Sequence, residues 1–520
     1  MKRLVEGFAE PFDLLVVGGG IHGALASWIA TQNGLRVALL EQQDFCSGAS
    51  NHSQRIIHGG LRYLQQADFP RIIESLQSRH FFRQLSPRLI TKLENILPLY
   101  EGEHVKNLSM GLAVRMYSWL DQLINSFQSS FPSGKHLSYQ ELVGTLPPSR
   151  RHDLIGGGQW FDGFCKHPSR LVIELLESAS GRGAQVANYC QAKGIRRDGN
   201  TNELICAAYD KFTKQEFVIR TRKVLSCTGA WGTEWIQSCG KERPLVRAMA
   251  LVVKSKRKVH RATGYKSRSG QLLFHVPWDQ SSFSLGTVYF PYRSHHAEEP
   301  KRYGHVDKED QRKGLDLFWR EAGSILEDLG VNRRETHQVV TGVLPADMSK
   351  PKPWPSGRHH LRPMFGLEGD AISLESVKFT TAPILCLRAI RQLFQNRSVT
   401  LPHGSLEEGS TRDQESSLRK LIDDHQEIPK SVIENLFGQF GSQAKKVFHS
   451  LSCVQSKEDS QMTLLDQAIR HTVENEMACC QEDVLLRRIN DWEILSKGAS
   501  HPELSQRIQR VLEMNKGTEL

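Results

Sequence analysis

The chain has 520 residues, which is enough for two or three domains that each bury a core. Its hydrophobic content of 39% and charged content of 24% are typical of a folded soluble protein and exclude a disordered one. The net charge of +10 fits an anionic substrate or membrane surface, whereas the dispersed basic residues, with no aromatic ladder among them, argue against nucleic acid.

The first twelve residues contain two acidic residues and do not match a secretory signal. No run approaches eighteen uncharged apolar residues, so no membrane-spanning helix is predicted. Ten cysteines occur without a CxxC pair, which fits neither a zinc site nor a disulfide framework. We therefore expect reduced thiols, no metal and a cytoplasmic location.

The N-terminal stretch DLLVVGGGIHGALASWIATQNGLRVALLE predicts a strand, a turn, a helix and a second strand. Residues 14–17 form a buried-strand run, residues 21–32 have helical periodicity, and residues 36–40 form the second strand. This order is that of a dinucleotide-binding unit.

The glycines of the turn and the acid that ends the second strand have the spacing that such a unit needs. Gly18, Gly20 and Gly23 make the G-x-G-x-x-G pattern, with Gly19 inside the turn. The glycines allow a tight turn and close approach of the backbone to a pyrophosphate, and the helix N-terminus offers free N–H groups. Glu41 can bind the hydroxyls of the adenosine ribose. These residues predict dinucleotide binding, but the motif alone leaves both FAD and NAD open.

The rest of the chain resembles a flavoprotein family. The segment DFCSGASNHSQRIIHGGLRYL follows directly, with no third strand in the usual nicotinamide rhythm. Much later, KVLSCTGAW predicts a strand that returns to the first unit and ends at Thr228 and Gly229. This interrupted topology resembles the D-amino-acid oxidase superfamily. Within it, SQRIIHGGLRYL resembles the signature of the FAD-dependent glycerol-3-phosphate dehydrogenases. Further segments resemble that family in the same order: residues 170–199, 272–287 (with Pro277-Trp278), 339–346, 376–383 and 468–488.

This resemblance implies FAD as the cofactor and a set of residues around it. The residues expected to bind the cofactor, beyond the glycine turn and Glu41, are Ser50, Ser53, Arg55, Gly59, Gly60, Ala192, Thr228, Gly229, Lys378 and Thr380. Residues 50–55 would wrap the pyrophosphate and the ring edge, and Ala192 would lie near the adenine. Lys378 would lie beside the N1/C2 edge of the flavin, where a cation stabilises the charge that builds on the ring.

The resemblance also implies a substrate site. Arg62, Tyr63 and Arg362 are expected to bind an anionic substrate, since a guanidinium can hold a phosphate or carboxylate with two hydrogen bonds. A structural ion pair is the alternative for Arg62, and a solvated surface position is the alternative for Arg362 and for Lys378. The neighbouring Arg358 leaves the register at Arg362 open.

The base that takes the substrate proton is unassigned. His58 and Lys378 are the candidates, and a buried packing role is the alternative for His58. Together with Arg62 and Arg362, these two residues form the expected catalytic set.

Four positions depart from the family pattern. Ala250 stands in place of an active-site histidine, and Leu344 in place of a substrate-binding arginine. Tyr289 replaces an acid, and Ser376-Val377 replace a glycine pair. Each missing charged hydrogen bond would cost about 1.5–3 kcal/mol, or roughly one to two powers of ten in affinity. The fold and the cofactor are therefore better supported than glycerol 3-phosphate as the substrate.

The expected fold is mixed α/β: a discontinuous Rossmann-like FAD-binding domain, an antiparallel-sheet substrate domain and a C-terminal helical domain. The boundaries are 1–100, 151–245 and 335–395 for the FAD-binding domain, 101–150 and 246–334 for the substrate domain, 396–417 for a polar linker and 418–520 for the helical domain.

The expected reaction is oxidation of glycerol 3-phosphate to dihydroxyacetone phosphate by hydride transfer to flavin N5, with the electrons passed to a quinone. The alternatives are oxidation of another small hydroxy or amino acid, and a flavoprotein that has lost catalysis. The expected partners are the small anionic substrate, a quinone-type acceptor, a membrane surface contacted peripherally and a second copy of the chain in a homodimer. The location would then be cytoplasmic or peripheral on the cytoplasmic membrane.

Overall fold

The computed structural model describes most of the chain, and the structural statements below concern this part. The described residues are 1, 11–125, 131–231, 244–255, 259–279, 281–292, 308–333, 338–347, 354–357, 359–407, 411–448, 457–489 and 501–518.

The strands fall into two sheets. In chain order they are β1 (Phe12–Val17), β2 (Val37–Leu40), β3 (Ile56–Ile57), β4 (Ile90–Tyr100), β5 (Lys135–Ser138), β6 (Leu154–Cys165), β7 (Gln185–Ala187), β8 (Cys190–Arg197), β9 (Leu204–Asp210), β10 (Glu216–Ser226), β11 (Leu245–Lys254), β12 (Ala262–Lys266), β13 (Leu272–Pro277), β14 (Ser282–Tyr292), β15 (Gln338–Asp347), β16 (Trp354–Pro355), β17 (His360–Pro363) and β18 (Ala371–Glu375).

The helices cover these sheets and form a separate C-terminal group. They are α1 (Ile21–Gln32), α2 (Phe69–Leu85), α3 (His104–Ile124), α4 (Tyr139–Val143), α5 (Pro168–Gly181), α6 (Lys308–Asp328), α7 (Ala382–Leu393), α8 (Thr411–Asp424), α9 (Lys430–Phe440), α10 (Ala444–Phe448), α11 (Lys457–Glu476), α12 (Gln481–Asp483) and α13 (His501–Thr518). Among the described residues, short 3₁₀ helices lie at Leu61–Gln66, Pro148–Arg150, Gly229–Trp231 and Gly441–Gln443. A π-helical turn, Val484–Arg488, follows α12.

The first sheet is the nucleotide-binding one, with the strand order β17-β18-β10-β1-β2-β7 and a β8–β9 extension on β10. β1 pairs in parallel with both β2 and β10, so the carboxyl ends of these three strands meet at the same edge. This pairing confirms the predicted return of the 223–231 segment to the first unit. α1 is apolar on nearly all sides because it is buried between this sheet, α5 and α7.

The second sheet is mainly antiparallel, with the order β16-β15-β11-β14-β13-β12-β4-β6-β3, and β5 pairs with β6. Its core packs against α6. The predicted substrate-domain strands β13 and β14 pair here as antiparallel neighbours. Together with the helical C-terminal region, the two sheets confirm the expected fold class.

Several strands within the ranges predicted for the FAD-binding domain lie in the second sheet. β4, β6 and β15 lie within the ranges assigned to the FAD-binding domain, yet all three belong to the second sheet. β4 pairs with β6 along its whole length, and β15 pairs with β11. The partners are far apart in sequence, and the local pattern of each strand does not identify its sheet.

The predicted linker, residues 396–417, is partly structured. The Thr400 amide donates to Asn33 Oδ1 at 3.0 Å, and the Leu406 amide donates to the Leu85 carbonyl at 2.8 Å. α8 begins at Thr411, inside the predicted linker. The polar composition of residues 396–417 therefore reflects the hydrogen bonds to Asn33 and Leu85 and the exposed start of a helix. α8 to α13 share a core of their own, which we call the C-terminal helical domain.

Candidate functional site

The glycine turn between β1 and α1 lies against the end of β10. Gly18 has a φ of 106°, and a Cβ on this residue would lie 2.5 Å from the carbonyl oxygen of Cys227. A Cβ on Gly23 would lie 1.8 Å from the carbonyl oxygen of Gly18. Glycine is therefore required for the turn to pass this close to the strand end that precedes Thr228 and Gly229.

Glu41 and Ser50 flank this turn. Glu41 Oε2 accepts from the Gly19 amide at 2.7 Å, and its Oε1 accepts from the Gln43 amide at 2.8 Å. Burial raises the pKa of the Glu41 carboxyl, and the hydrogen bonds from the two amides oppose this rise. Ser50 Oγ accepts from the amide of Ile21 at 3.1 Å, at the start of α1.

These groups fit the pyrophosphate and ribose of FAD. Gly20 precedes α1 and supplies no side-chain cap, so the positive end of the helix faces the turn. A Cβ on Gly20 would point towards Ser50 Oγ, 3.0 Å away, and would narrow the space between the two. The acid, the hydroxyl and the backbone amides are the donors and acceptors that a dinucleotide needs.

The residue predicted on the adenine side lies close to the same edge. The amide of Cys190, at the start of β8, donates to the carbonyl of Glu41 at 2.8 Å. Ala192 follows two positions later in β8 and pairs with Ala208 of β9. The structure therefore brings the start of β8 to the strand end that carries Glu41, and the role of Ala192 beside the adenine stays a prediction.

His58 lies beside a buried acid. Its Nδ1 is 3.4 Å from Oδ2 of Asp162, and its side chain is 57% exposed, so the buried packing role is not what the structure has. The Gly59 amide donates to Asp162 Oδ1 at 2.8 Å. Burial alone would raise the pKa of the Asp162 carboxyl. The hydrogen bond from His58, the charges of His58 and Arg79 and the Gly59 amide together hold this pKa below its usual value.

Sequence reasoning did not single out Asp162. Asn95, Tyr117 and Trp160 also donate to its carboxylate, from β4, α3 and β6. A single acid within the uncharged strand stretch GGGQWFDGFC is a signal for a buried carboxylate with donors around it.

The glycine pair after His58 has a structural reason in this chain. A Cβ on Gly59 would lie 1.7 Å from the Tyr117 hydroxyl and 2.9 Å from Arg79 Nη1. Gly60 has a φ of 90° at the start of the short helix that carries Arg62 and Tyr63. The cofactor-binding role that the resemblance implies for both glycines stays a prediction.

Lys378 and Tyr63 are in contact. Lys378 Nζ donates to the Tyr63 hydroxyl, and it lies 4.5 Å from the centroid of that ring. Thr380 Oγ1 accepts from the His58 amide at 3.1 Å. These contacts bring Lys378, just before α7, close to Tyr63 and His58, although Lys378 lies more than three hundred residues from both in the chain.

Arg62 is exposed and lies near Tyr289. Its Cζ is 5.9 Å from the centroid of the Tyr63 ring. Burial raises the pKa of the Tyr289 hydroxyl, and the charge of Arg62 opposes this rise. Within the described ranges Arg62 makes no ion pair, whereas the alternative role for this residue was a structural ion pair.

Arg362 and Arg55 have other partners. Arg362, on β17, is 56% exposed, and its Nε is 3.2 Å from Oε1 of the buried Glu375. Arg55 stacks on Trp278 at 3.5 Å and donates to the Lys166 carbonyl at 2.8 Å. Ser53 Oγ accepts from the Arg55 amide at 3.2 Å. Arg358 lies outside the described residues.

Three of the four departures from the family pattern, Ala250, Tyr289 and Leu344, lie on the adjacent strands β11, β14 and β15 of the second sheet, whereas Ser376-Val377 follow β18 of the first sheet. Ala250 of β11 pairs with Val340 of β15, and Leu344 of β15 pairs with Val246. A Cβ on Gly342, two residues before Leu344, would lie 3.5 Å from Cβ of Ala49. β15 therefore runs beside the loop that follows Glu41.

One group of side chains has metal-ligand chemistry away from this site. The ligand atoms of Glu177, His471 and Glu476 lie within 4.8 Å of one another. Arg170 Nη2 is 2.8 Å from Glu476 Oε1, so a guanidinium already neutralises this carboxylate. We assign no metal to it.

Comparison with known proteins identifies the family of the chain. Residues 13–368 match the family model described as FAD dependent oxidoreductase, and residues 405–509 match the C-terminal domain of alpha-glycerophosphate oxidase. The alpha-glycerophosphate oxidase of Streptococcus pneumoniae is 31% identical over 300 residues, which are 55% of this chain and 48% of that protein. The glycerol-3-phosphate dehydrogenase of Synechocystis is 33% identical over 238 residues, which are 45% and 42% of the two chains.

A solved structure has the same fold over nearly the whole length. The glycerol-3-phosphate dehydrogenase of Bacillus halodurans, solved in complex with FAD, superposes with a TM-score of 0.70 at 19% identity and covers 98% of this chain and 95% of that one. The chain matches about half the length of the curated relatives. Since the family model covers well over half of its residues, the chain belongs to the family of FAD dependent oxidoreductases.

Proposed function

We propose that the protein oxidises glycerol 3-phosphate to dihydroxyacetone phosphate. The observation that supports the proposal is the pair His58–Asp162, whose His58 amide donates to Thr380 Oγ1 near the Lys378–Tyr63 contact. His58 would then supply a base and Lys378 a cation to the bound cofactor and substrate. The names of the relatives support this substrate, since they are glycerophosphate oxidases and glycerol-3-phosphate dehydrogenases.

His58 is the base in this proposal. Asp162 accepts from Nδ1, which leaves the exposed Nε2 free to take the hydroxyl proton of the substrate. The buried carboxylate orients the ring and stabilises the imidazolium that forms. Bound FAD would accept the hydride of the carbinol carbon. Lys378 offsets the negative charge that develops at the cofactor.

Arg62 binds the phosphate of the substrate. It is exposed, and its guanidinium can bind the anion with two hydrogen bonds. Arg362 is a weaker candidate because Glu375 already neutralises it. The main anion contact is therefore assigned to Arg62, with Tyr63 beside it.

A second function is favoured by Ala250 and Leu344. Both replace polar side chains of the resembled family with apolar ones on neighbouring strands. A substrate pocket lined by these two apolar side chains would suit a smaller or less charged hydroxy acid, or an amino acid. The third hypothesis is a flavoprotein that binds FAD but has lost catalysis.

The electron acceptor is proposed to be a quinone at a membrane surface. Leu112, Met116, Trp119 and Leu123 are exposed at i, i+4, i+7 and i+11 on α3, and so they form one apolar stripe. A stripe of this kind supports peripheral contact with the cytoplasmic membrane. Among the described helices, none is both long and apolar enough to cross a bilayer.

The test is a turnover assay with a substrate panel. Glycerol 3-phosphate should be oxidised with a soluble quinone analogue, and much faster than glycerol, glycerate, lactate or glycine. Hydrogen peroxide measured in parallel reports oxygen as the acceptor. Higher kcat/KM for an amino acid or another hydroxy acid would support the second function, and no turnover of any compound would support the third.

A further inference from the structure

The loop after Glu41 forms one wall of the FAD site. This loop, residues 42–52, carries Ser50, whose Oγ accepts from the Ile21 amide at 3.1 Å. The Cys46 amide donates to the carbonyl of Gly19 at 2.9 Å, and the buried ring of Phe45 would be 2.7 Å from a Cβ on Gly19. The position of the loop therefore determines the shape of the glycine turn.

The same loop is bound on its other side by the C-terminal helical domain. Arg488 donates to both carboxylate oxygens of Asp44, with Nη1 2.9 Å from Oδ2 and Nη2 2.8 Å from Oδ1. Arg487 Nε lies 2.5 Å from the same Oδ2. Asn51 Nδ2 donates to the Leu486 carbonyl at 3.3 Å. Two guanidiniums and one carbonyl thus bind both ends of the loop.

Asp44 depends on these contacts. The carboxylate is 1% exposed, and within the loop it has no cation of its own. Burial alone would raise its pKa, but the charges of Arg488 and Arg487 and their hydrogen bonds hold this pKa below its usual value. Asn188 Nδ2 is a further donor, at 3.0 Å from Oδ1. Removing the guanidiniums would leave a buried charge without its counter-ions, which is strongly unfavourable.

We propose that Arg487 and Arg488 are positioning residues for FAD, which act through Asp44 on the loop 42–52. FAD binding and the docking of the π-helical turn Val484–Arg488 on this loop are then coupled. Coupling of this kind is reciprocal, so each event stabilises the other. The inference concerns cofactor retention and is independent of which substrate the protein oxidises.

The first test compares two arginine variants of the full-length protein. Arg488→Lys keeps the charge but loses the two-pronged contact, and the rate of FAD release should rise at least tenfold. Arg88→Lys is the matched control. Arg88 also links helix α5 to the C-terminal helical domain, through Glu174 of α5 and the Gly438 carbonyl of α9, away from the loop. Its FAD release should stay within twofold of wild type even where the melting temperature falls.

Equal FAD release in Arg488→Lys and wild type would overturn the proposal, and so would an equal increase in both variants. A second measurement needs no variant. Hydrogen–deuterium exchange of the wild-type protein should be slower in the peptide containing residues 483–489 when FAD is bound than after its removal. Identical exchange in the two forms would overturn the coupling.

Discussion

His58 Nδ1 lies 3.4 Å from Asp162 Oδ2, and the carboxylate is buried while the imidazole is open to the site. In the proposed reaction this contact would orient His58 as the base. Because the pKa of Asp162 is lowered, the carboxylate stays ionised at neutral pH, and its interactions are lost only as the pH falls through that lowered pKa.

Replacing Asp162 should impair the base without removing the cofactor. Asp162→Asn should lower kcat by about 10²–10⁴, because the imidazolium that forms at His58 loses its counter-charge. Asp121→Asn is the control, since Asp121 pairs with the same buried Arg79 but does not contact His58. An equal loss of kcat in both variants would exclude His58, oriented by Asp162, as the base.

Replacing Arg62 should weaken substrate binding. Arg62→Lys should keep the fold and FAD but raise KM sharply, and Arg62→Ala should cost on the order of 3 kcal/mol in kcat/KM, more than a hundredfold. Arg71→Lys is the control, because Arg71 also lies near Tyr63 but pairs with Asp68. A lower melting temperature with unchanged kinetics would identify Arg62 as structural instead.

Filling the glycine turn should remove the cofactor. Gly20→Val would place a side chain between α1 and Ser50, where the pyrophosphate is expected, and the variant should elute from gel filtration without FAD. Gly199→Val is the control, since a Cβ there would have no neighbour within 4 Å. Full FAD occupancy of Gly20→Val would refute the assignment of the phosphate turn.

Restoring an arginine on β15 separates the two enzyme functions. Leu344→Arg should increase kcat/KM for glycerol 3-phosphate if the pocket keeps the shape of the resembled family, since it adds a charged hydrogen bond. Lower or unchanged activity, measured in a variant that retains FAD, would indicate a pocket rebuilt for another substrate.

The apolar stripe on α3 should bind membranes. Trp119→Glu with Leu123→Glu should abolish co-sedimentation with anionic lipid vesicles and leave turnover with a soluble quinone analogue unchanged. Phe212→Glu and Val218→Glu, two exposed apolar positions of the first domain, are the control. Equal vesicle binding by both double variants would place the membrane contact elsewhere.

The sequence predicted the features that depend on local spacing. The glycine turn, α1 and the acid at the end of β2 follow from neighbouring residues, and the structure has all of them where they were expected. Asp162 was not predicted as a site residue because its role depends on hydrogen bonds from β4, α3 and the loop after His58. Only the tertiary fold brings these donors together. The assignment of β4, β6 and β15 to the second sheet has the same cause, since their partners are distant in sequence.

The partners of individual side chains could not be predicted from the local sequence pattern either. The guanidinium of Arg362 is a suitable anion ligand by type, but it forms an ion pair with Glu375 on the neighbouring strand. Arg55 stacks on Trp278 of the second sheet, a contact that no spacing rule predicts.

The most direct test of the proposed function is a single-turnover measurement on the purified FAD-bound protein without oxygen. Adding glycerol 3-phosphate should bleach the visible flavin absorbance, with one substrate oxidised per flavin reduced. If the absorbance persists with glycerol 3-phosphate but is lost with dithionite, the flavin is reducible and glycerol 3-phosphate is not the substrate.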